Sequence, residues 1–385
     1  MDEREQSPRR SKKQNIPTYV DYTMIFCVIL LNVIGLLMVY SATAYKSGAK
    51  EFLTQLIAVI GGFVLMIIMF KPGIKWIPPR TLAFIALCVA GASVFFLLIP
   101  GFKVTLNGAT RWFRIPGVPF TIQSAEIVKI SVILIMAWLL SIPNILSNRK
   151  GIFVALGVPA FMGFVLGAIS NNMSSAIIIV GIGYIMIFIK SRRYAVYGGL
   201  FIFGILAVII LIIVIRSGIG GGFRAGRIRV WLNPEETAED VDNFQTIQSL
   251  YAIGSGGLMG KGIGESIQKM NKIPEAENDM IFAVLCEELG LVGALVVITL
   301  FVALIFRLVA LATKCNSMYD ALIVSGVTAH IALQSVLNIA VVTNTIPNTG
   351  VSLPFISSGG SSALCLLFEI ALVLCVTKYQ NTDDE

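Results

Sequence analysis

Charge is what this chain has least of. Asp, Glu, Lys and Arg make up 13% of its 385 residues, where a typical soluble domain carries about 25%. Histidine occurs once, as His330, and the six cysteines (Cys27, Cys88, Cys286, Cys315, Cys365 and Cys375) show no metal-ligand spacing. One imidazole and no cysteine cluster exclude a His/Cys zinc centre. Five of the cysteines lie in apolar runs and Cys315 in a short basic loop. A disulfide framework would need them in exported loops, so they read as small core residues. Sparse charge also excludes a nucleic-acid-binding domain, which needs a dense basic face, and a disordered chain, which needs high charge and few apolar residues.

What the chain has instead is apolar side chain, 56% of all residues, with a mean hydropathy of +0.84. One soluble core of this length could not bury that much, which excludes an ordinary cytosolic enzyme; the solvent is lipid. A helix crosses the hydrocarbon in about 20 residues, and ten such spans are expected near 21–42, 51–70, 81–100, 124–141, 152–170, 172–190, 194–215, 280–306, 319–343 and 359–377. Residues 1–20 are polar and basic and the first apolar run is long enough to span, so no cleavable signal peptide is expected. With the N-terminus placed inside, cytoplasmic segments hold sixteen Lys and Arg, and the short exterior loops hold five: Lys46, Lys50, Lys103, Arg111 and Arg114. This bias puts both termini in the cytoplasm and makes the net charge of +7 mostly a topology signal. The expected organisation is a basic tail (1–20), a single ten-helix all-α membrane domain (21–378) and a short cytoplasmic tail (379–385).

One connection is far longer than the rest. Residues 216–279 form an exterior loop between the seventh and eighth spans, with a glycine-rich start, Arg224, Arg227 and Arg229, an acidic run from Glu235 to Asp242, and helical spacing over Phe244–Tyr251. Loops of that length are functional or disordered; this one reads as ordered and folded over the membrane surface. Two smaller exterior loops, 101–123 and 344–358, also carry unusual chemistry. No internal repeat stands out, so an inverted-repeat transporter has little support.

Ionisable groups inside a membrane mark sites or partnered pairs; here they are Glu126, Lys129, Glu287, Glu288 and Glu369. Glu126 and Lys129 are three apart and share a helix face, either as a neutralising pair or as the polar floor of a headgroup cavity. Glu287 and Glu288 leave one helical turn in different directions, so at most one faces the same cavity as Asp279. Asp279, where the long loop enters the eighth span, is either a helix cap or a general base at the membrane boundary, for which partial burial would be needed. His330 reads as a core histidine bonded to a neighbouring helix. Gly257 to Gly262 lacks the frame of a phosphate loop. At the mouth of the last span, Gly350–Ser362 offers irregular backbone, and amides around Gly360 and Ser361 suit an anion.

Several blocks resemble the SEDS family (shape, elongation, division and sporulation). They are Asn107-Gly108-Ala109-x-Arg111-Trp112; Gln123-x-x-Glu126-x-x-Lys129; Arg224-x-x-Arg227 through Trp231 to Pro234; Asn243-Phe244-Gln245-x-x-Gln248-Ser249 onward to Gly257; Pro274-Glu275-Ala276 with Asp279 and Glu287-Glu288; and Thr349-Gly350 through Pro354-Phe355 to Gly359-Gly360-Ser361-Ser362. The Pro-Glu-Ala and Val-Ser-Leu-Pro-Phe-Ile wording is closer to the division member FtsW than to the elongation member RodA. The resemblance implies a ten-span glycosyltransferase that polymerises lipid II at the outer face of the bacterial cytoplasmic membrane, with a class B penicillin-binding protein as transpeptidase partner. It implies that Asp279 is catalytic, and that Lys129, Glu126, Arg111, Trp112, Arg224, Arg227, Gln245, Ser249, Gly360 and Ser361 bind substrate. The expected partners are lipid II, that transpeptidase and membrane lipid, and no nucleic acid. No cofactor is required; a divalent cation, magnesium or manganese, is compatible.

In this expectation Asp279 takes the proton of a GlcNAc 4-hydroxyl, which attacks the MurNAc anomeric carbon with inversion as undecaprenyl pyrophosphate leaves. Lys129, Arg111, Arg224, Arg227 and the Gly359–Ser362 turn are the groups available to the leaving pyrophosphate. The sequence departs from the family pattern at Glu277-Asn278, at Ser124-Ala125, at Asn344, and at Ser170–Ser175, where an acidic residue is usual. The rival readings are a lipid II flippase and a non-catalytic activator of a penicillin-binding protein.

Overall fold

The computed structural model describes residues 20–44, 50–73, 76–106, 109–118, 120–191, 241–270, 273 and 275–378, with the isolated positions 195, 198, 199, 202, 206, 228, 231 and 232. Most of the expected seventh span (194–215), the first part of the long loop with Arg224 and Arg227, and both tails lie outside the described residues. Within them, nine helices are long and apolar enough to cross a membrane. These are α1 (Tyr22–Thr43), α2 (Lys50–Phe70), α3 (Pro79–Phe96), α4 (Ser124–Ser141), α5 (Arg149–Ser170), α6 (Met173–Lys190), α8 (Ile281–Thr313), α9 (Met318–Val342) and α10 (Gly360–Thr377); a shorter helix, α7 (Val241–Gly256), comes from the long loop.

The layering follows from what each helix hides. In α4 and α10, 78% of the apolar window is buried, against 22% in α3, so α4 and α10 form the centre and α3 the rim. Outward-facing Phe84, Phe95, Phe153, Phe161, Phe164 and Phe306 are exposed, as lipid-facing side chains are. Four cysteines are buried as expected, while Cys88 on α3 is exposed. Polar residues close the helix ends: Asp21 accepts from Met24 N at 2.7 Å to cap α1, and the same carboxylate pairs with Arg307 of α8. That pair ties α1 and α8 at one end of the bundle.

The opposite end carries what the apolar pattern did not reveal. The connection from α3 to α4 forms a small antiparallel sheet, β1 (Lys103–Leu106), β2 (Ala109–Phe113) and β3 (Ile122–Gln123), in the order β1-β2-β3. Trp112 pairs with Gln123 across β2 and β3, and Gln123 is the residue from which α4 starts. The sheet thereby fixes the entry of α4 one turn before Glu126.

The eighth span is not one helix. Gly290 breaks α8 with φ 67° and ψ −167°, a region open essentially to glycine alone. The break frees backbone groups, and the long loop satisfies them. Lys261 N donates to Glu287 O (2.9 Å) and Gly262 N to Glu288 O (3.0 Å), while Leu291 N and Val292 N donate to the carbonyls of Gly257 and Leu258. From Gly290 to Arg307 the helix rises about 26 Å, close to the hydrocarbon thickness of about 30 Å. Glu287 and Glu288 therefore sit at the boundary of the lipid rather than in its middle. A Cβ at position 290 would meet Gly260 N and the Leu258 carbonyl. Gly290→Ala is expected to cost at least about 1–3 kcal/mol from backbone strain alone, read as a lowered midpoint in thermal unfolding of the purified protein; an unchanged midpoint would remove the loop insertion from this account.

The segment between α9 and α10, expected as an exterior loop with irregular backbone at the mouth of the last span, is a re-entrant strap. Leu353, Phe355 and Ile356 are buried, and a Cβ on Gly35, in the middle of α1, would lie 2.7 Å from Ile356 Cα. Irregular backbone at this depth is tolerated because protein surrounds it.

Candidate functional site

Asp279 sits where three elements meet, half-buried. It does not cap α8: the cap position is Met280, with no side-chain cap. Its Oδ1 accepts from Gln245 Nε2 of α7 at 3.4 Å, and Gln245 Oε1 in turn accepts from Asn348 Nδ2 at 3.1 Å. Its main-chain carbonyl accepts from Asn338 Nδ2 of α9 at 2.7 Å, and the same amide nitrogen holds Val351 O at 2.7 Å. Gly350, with φ +65°, keeps the re-entrant strap between α9 and α10 close to the carboxylate, since a Cβ there would lie 3.5 Å from Asp279 Oδ2. The neighbouring backbone is held as well: Ser357 Oγ donates to Asn278 O (2.6 Å) and Ser358 N to Glu277 O (2.8 Å). Ser174 of α6 binds the Thr349 carbonyl, and Trp231 Nε1 binds the Asn344 carbonyl at 2.9 Å. The carboxylate is thus fixed in place by a strap that is itself fastened to three helices, with the N-terminus of α8 behind it favouring the anion.

The charged pairs take arrangements that the sequence left open. Glu287 and Glu288 both turn to the long loop. Glu287 takes Lys261 at 2.7 Å and the amides of Ile267 and Gln268; Glu288 takes Lys269 at 2.6 Å, with Ser41 of α1 joining both. They clamp the loop that carries α7, and the carboxylate placed at the strap is Asp279. Glu126 and Lys129 form the neutralising pair, at 2.7 Å. Lys129 is 1% exposed and also donates to Gln334 Oε1 at 2.7 Å, so both of these partners lie inside the bundle. His330 is a core histidine bonded to a neighbouring helix: its Nδ1 lies 2.8 Å from Glu369 of α10.

Of the other residues singled out by sequence, Gln245 is brought to Asp279. Ser249 lies one turn further along α7 and back-bonds to Gln245 O at 2.8 Å. Arg111 reaches the Asn171 carbonyl, 3.5 Å away, at the α5–α6 turn, and Trp112 is a strand residue beside it. Gly360 packs on Phe120 and Ser361 Oγ accepts from Gln123 N, so both join α10 to the sheet rather than to Asp279. Arg224 and Arg227 lie outside the described residues. Sequence reasoning missed Gln334, Asn338, Asn348 and Ser174. A signal exists for the first two: two amides four apart lie on one face of an apolar helix.

Among the described residues no group of three or more His, Cys, Asp and Glu could hold a metal. Two buried oxygen atoms near the strap, Asn338 Oδ1 of α9 and Thr349 Oγ1, have no hydrogen-bond partner among the described residues. Oxygen atoms of this kind, like a carboxylate, are the donors that magnesium or manganese takes.

Comparison with known proteins agrees with this architecture. The family profile described as "Cell cycle protein", FtsW/RodA/SpoVE, matches residues 21–382. Stage V sporulation protein E of Bacillus subtilis is 34% identical over 94% of this chain and 98% of its own length. The probable peptidoglycan glycosyltransferase FtsW of Trichlorobacter lovleyi is 31% identical over 93% of each. A solved structure described as "Structural coordination of polymerization and crosslinking by a peptidoglycan synthase complex" superposes with a TM-score of 0.73 at 25% identity, covering 94% of this chain and 99% of that one. Rod shape determining protein RodA of Thermus thermophilus shares the fold, with a TM-score of 0.62 at 24% identity over 94% and 98%. This chain, a multi-pass protein of the cytoplasmic membrane, belongs to the FtsW/RodA/SpoVE (SEDS) family.

Proposed function

We propose that the chain is a peptidoglycan glycosyltransferase that polymerises lipid II at the outer face of the membrane, with Asp279 as its general base. The observation that carries this reading is the carboxylate itself: half-buried at the lipid boundary, held by Gln245 and by the re-entrant strap, and not used up as a helix cap. Relatives named as peptidoglycan glycosyltransferases supply the substrate class.

In this mechanism Asp279 accepts the proton of the GlcNAc 4-hydroxyl as that oxygen bonds to the MurNAc anomeric carbon. The anomeric C–O bond to undecaprenyl pyrophosphate breaks with inversion, and the pyrophosphate carries away the electron pair. Gln245 and Asn338 keep the carboxylate aimed, which is where much of the rate comes from, since fixed geometry replaces an unlikely encounter. Arg111, Arg224 and Arg227 are the cations for the leaving group in this reading, with Lys129 paired to Glu126. A divalent cation, where one takes part, would draw on Asp279, Asn338 and Thr349 and would supply positive charge for the pyrophosphate. The transpeptidase partner is a class B penicillin-binding protein, in keeping with the synthase complex whose structure this chain resembles.

The test is lipid II in detergent with the purified chain alone. Glycan polymer is expected on a gel. A flippase or a pure activator leaves lipid II unchanged there, so its quantitative recovery from folded protein would overturn the reading.

A further inference from the structure

Below the strap, the centre of the bundle holds a row of buried polar side chains that the mechanism above does not use. Glu126 and Lys129 come from α4, His330 and Gln334 from α9 and Glu369 from α10, and every one is at most 3% exposed. The hydrogen bonds run in one direction that can be worked out. Gln334 Nε2 lies 3.1 Å from the Ser352 carbonyl, which can only accept, so this end of the amide is the nitrogen. Gln334 Oε1 therefore faces both Lys129 Nζ (2.7 Å) and His330 Nε2 (2.8 Å). An amide oxygen only accepts, so His330 Nε2 carries a hydrogen. His330 Nδ1 then faces the two oxygens of Glu369 at 2.8 and 2.9 Å, and a hydrogen bond there requires one proton, on the ring or on the carboxyl. Charge counting agrees. Lys129 offsets one of the two carboxylates, and the second is offset only by that shared proton, as a buried cluster in lipid requires.

The row ends at the catalytic strap. Gln334 holds Ser352; the adjacent Val351 carbonyl is held by Asn338, one turn along the same helix, whose amide also holds the Asp279 carbonyl. Lys129, shared with Glu126, and His330 both donate to the Gln334 amide oxygen, and His330 is the one of the two whose orientation Glu369 sets.

We propose that His330 and Glu369 are positioning residues for the polymerisation: the proton they share orients Gln334, and Gln334 seats the 348–353 strap beside Asp279. The inference rests on the reading of Asp279 given above. It places a requirement of the surface reaction in the middle of the membrane, on two side chains that touch neither substrate nor the reacting atoms.

His330→Leu alone strands the Glu369 carboxylate, so the pair is replaced together. In His330→Leu/Glu369→Leu, kcat for lipid II is expected to fall about tenfold with KM within about twofold of the parent, the pattern of a misplaced reacting group rather than lost binding. Hydrogen exchange over residues 345–358 is expected to speed up at the same time. Glu369→Gln is the conservative variant: its new amide donates to Nδ1, Nε2–H stays on Gln334, and parental kcat and exchange are restored. Should the double variant not fold, Gln334→Met, which leaves both charged pairs intact, is expected to show the same fall and the same faster exchange. Parental kcat and exchange in the folded double variant or in Gln334→Met overturn the inference, as does a Glu369→Gln variant as slow as the double one. The two readings fail separately. Full polymer from Asp279→Asn with accelerated strap exchange in the double variant removes Asp279 and keeps the hold on the strap. An inert Asp279→Asn with parental exchange and kcat in the double variant removes the hold alone.

Discussion

Asp279→Asn is expected to lower lipid II polymerisation by at least about a hundredfold, since a positioned general base contributes about a hundred- to ten-thousandfold. The substitution is nearly isosteric. Gln245 and Asn338 still find an oxygen and a main-chain carbonyl to hold, so the strap and the helix start should keep their places. What disappears is the acceptor for the hydroxyl proton. Initial rates on lipid II, read beside a thermal melt, separate the two effects: the rate collapses and the melting midpoint stays. A variant that polymerises at the parental rate would leave Asp279 as a structural residue. A variant that loses its fold together with its activity would say that the carboxylate is needed for packing rather than for chemistry.

The second large effect is on stability. Glu288 is 0% and Lys269 3% exposed by side chain, 2.6 Å apart, with the Ser41 hydroxyl between α1 and the loop completing the group. Removing one partner of a buried pair leaves a bare charge, at a cost of about 3–5 kcal/mol. Glu288→Leu should therefore lower the unfolding midpoint far more than Glu288→Leu/Lys269→Leu, which removes both charges and is expected near the parent. Activity should follow in the single variant. The clamp seats the loop that leads back to α7, and α7 carries Gln245, the side chain on Asp279. Equal midpoints for the single and double variants would mean that the pair does not hold the loop.

Most of the membrane architecture was legible because lipid demands long apolar runs. The starts and ends of α1, α2, α4, α6, α9 and α10 lie within a residue or two of the positions expected from hydropathy. Hydropathy is blind to what happens inside such a run. Gly290 follows Glu287 and Glu288 in a run whose overall hydropathy reads as one span, and its positive φ and the loop glycine Gly260 pressed against it make it a break. The depth of the strap is hidden for a related reason. Its polar and glycine residues suggest a surface, whereas Asn338 and Gln334 satisfy its backbone at depth.

The site divides in the same way. Asp279 and Gln245 were found because their blocks are distinctive, and the structure brings them together. Lys129 is expected at the substrate because a membrane charge invites a ligand, and the structure shows it paired with Glu126 and Gln334 inside the bundle. His330 and Glu369 were noticed separately, one as a lone histidine and one as a lone acid. Nothing in the sequence says that positions 39 apart share a proton; that is a fact of how α9 packs on α10.

The most direct test of the central claim counts chemistry rather than product size. Undecaprenyl pyrophosphate released from lipid II is measured against glycosidic bonds formed, for the purified chain without any partner and for Asp279→Asn beside it. The account predicts one pyrophosphate for every bond from the parent and neither from the folded variant. Bonds formed by the variant at the parental rate, or a folded parent that releases none, would contradict it.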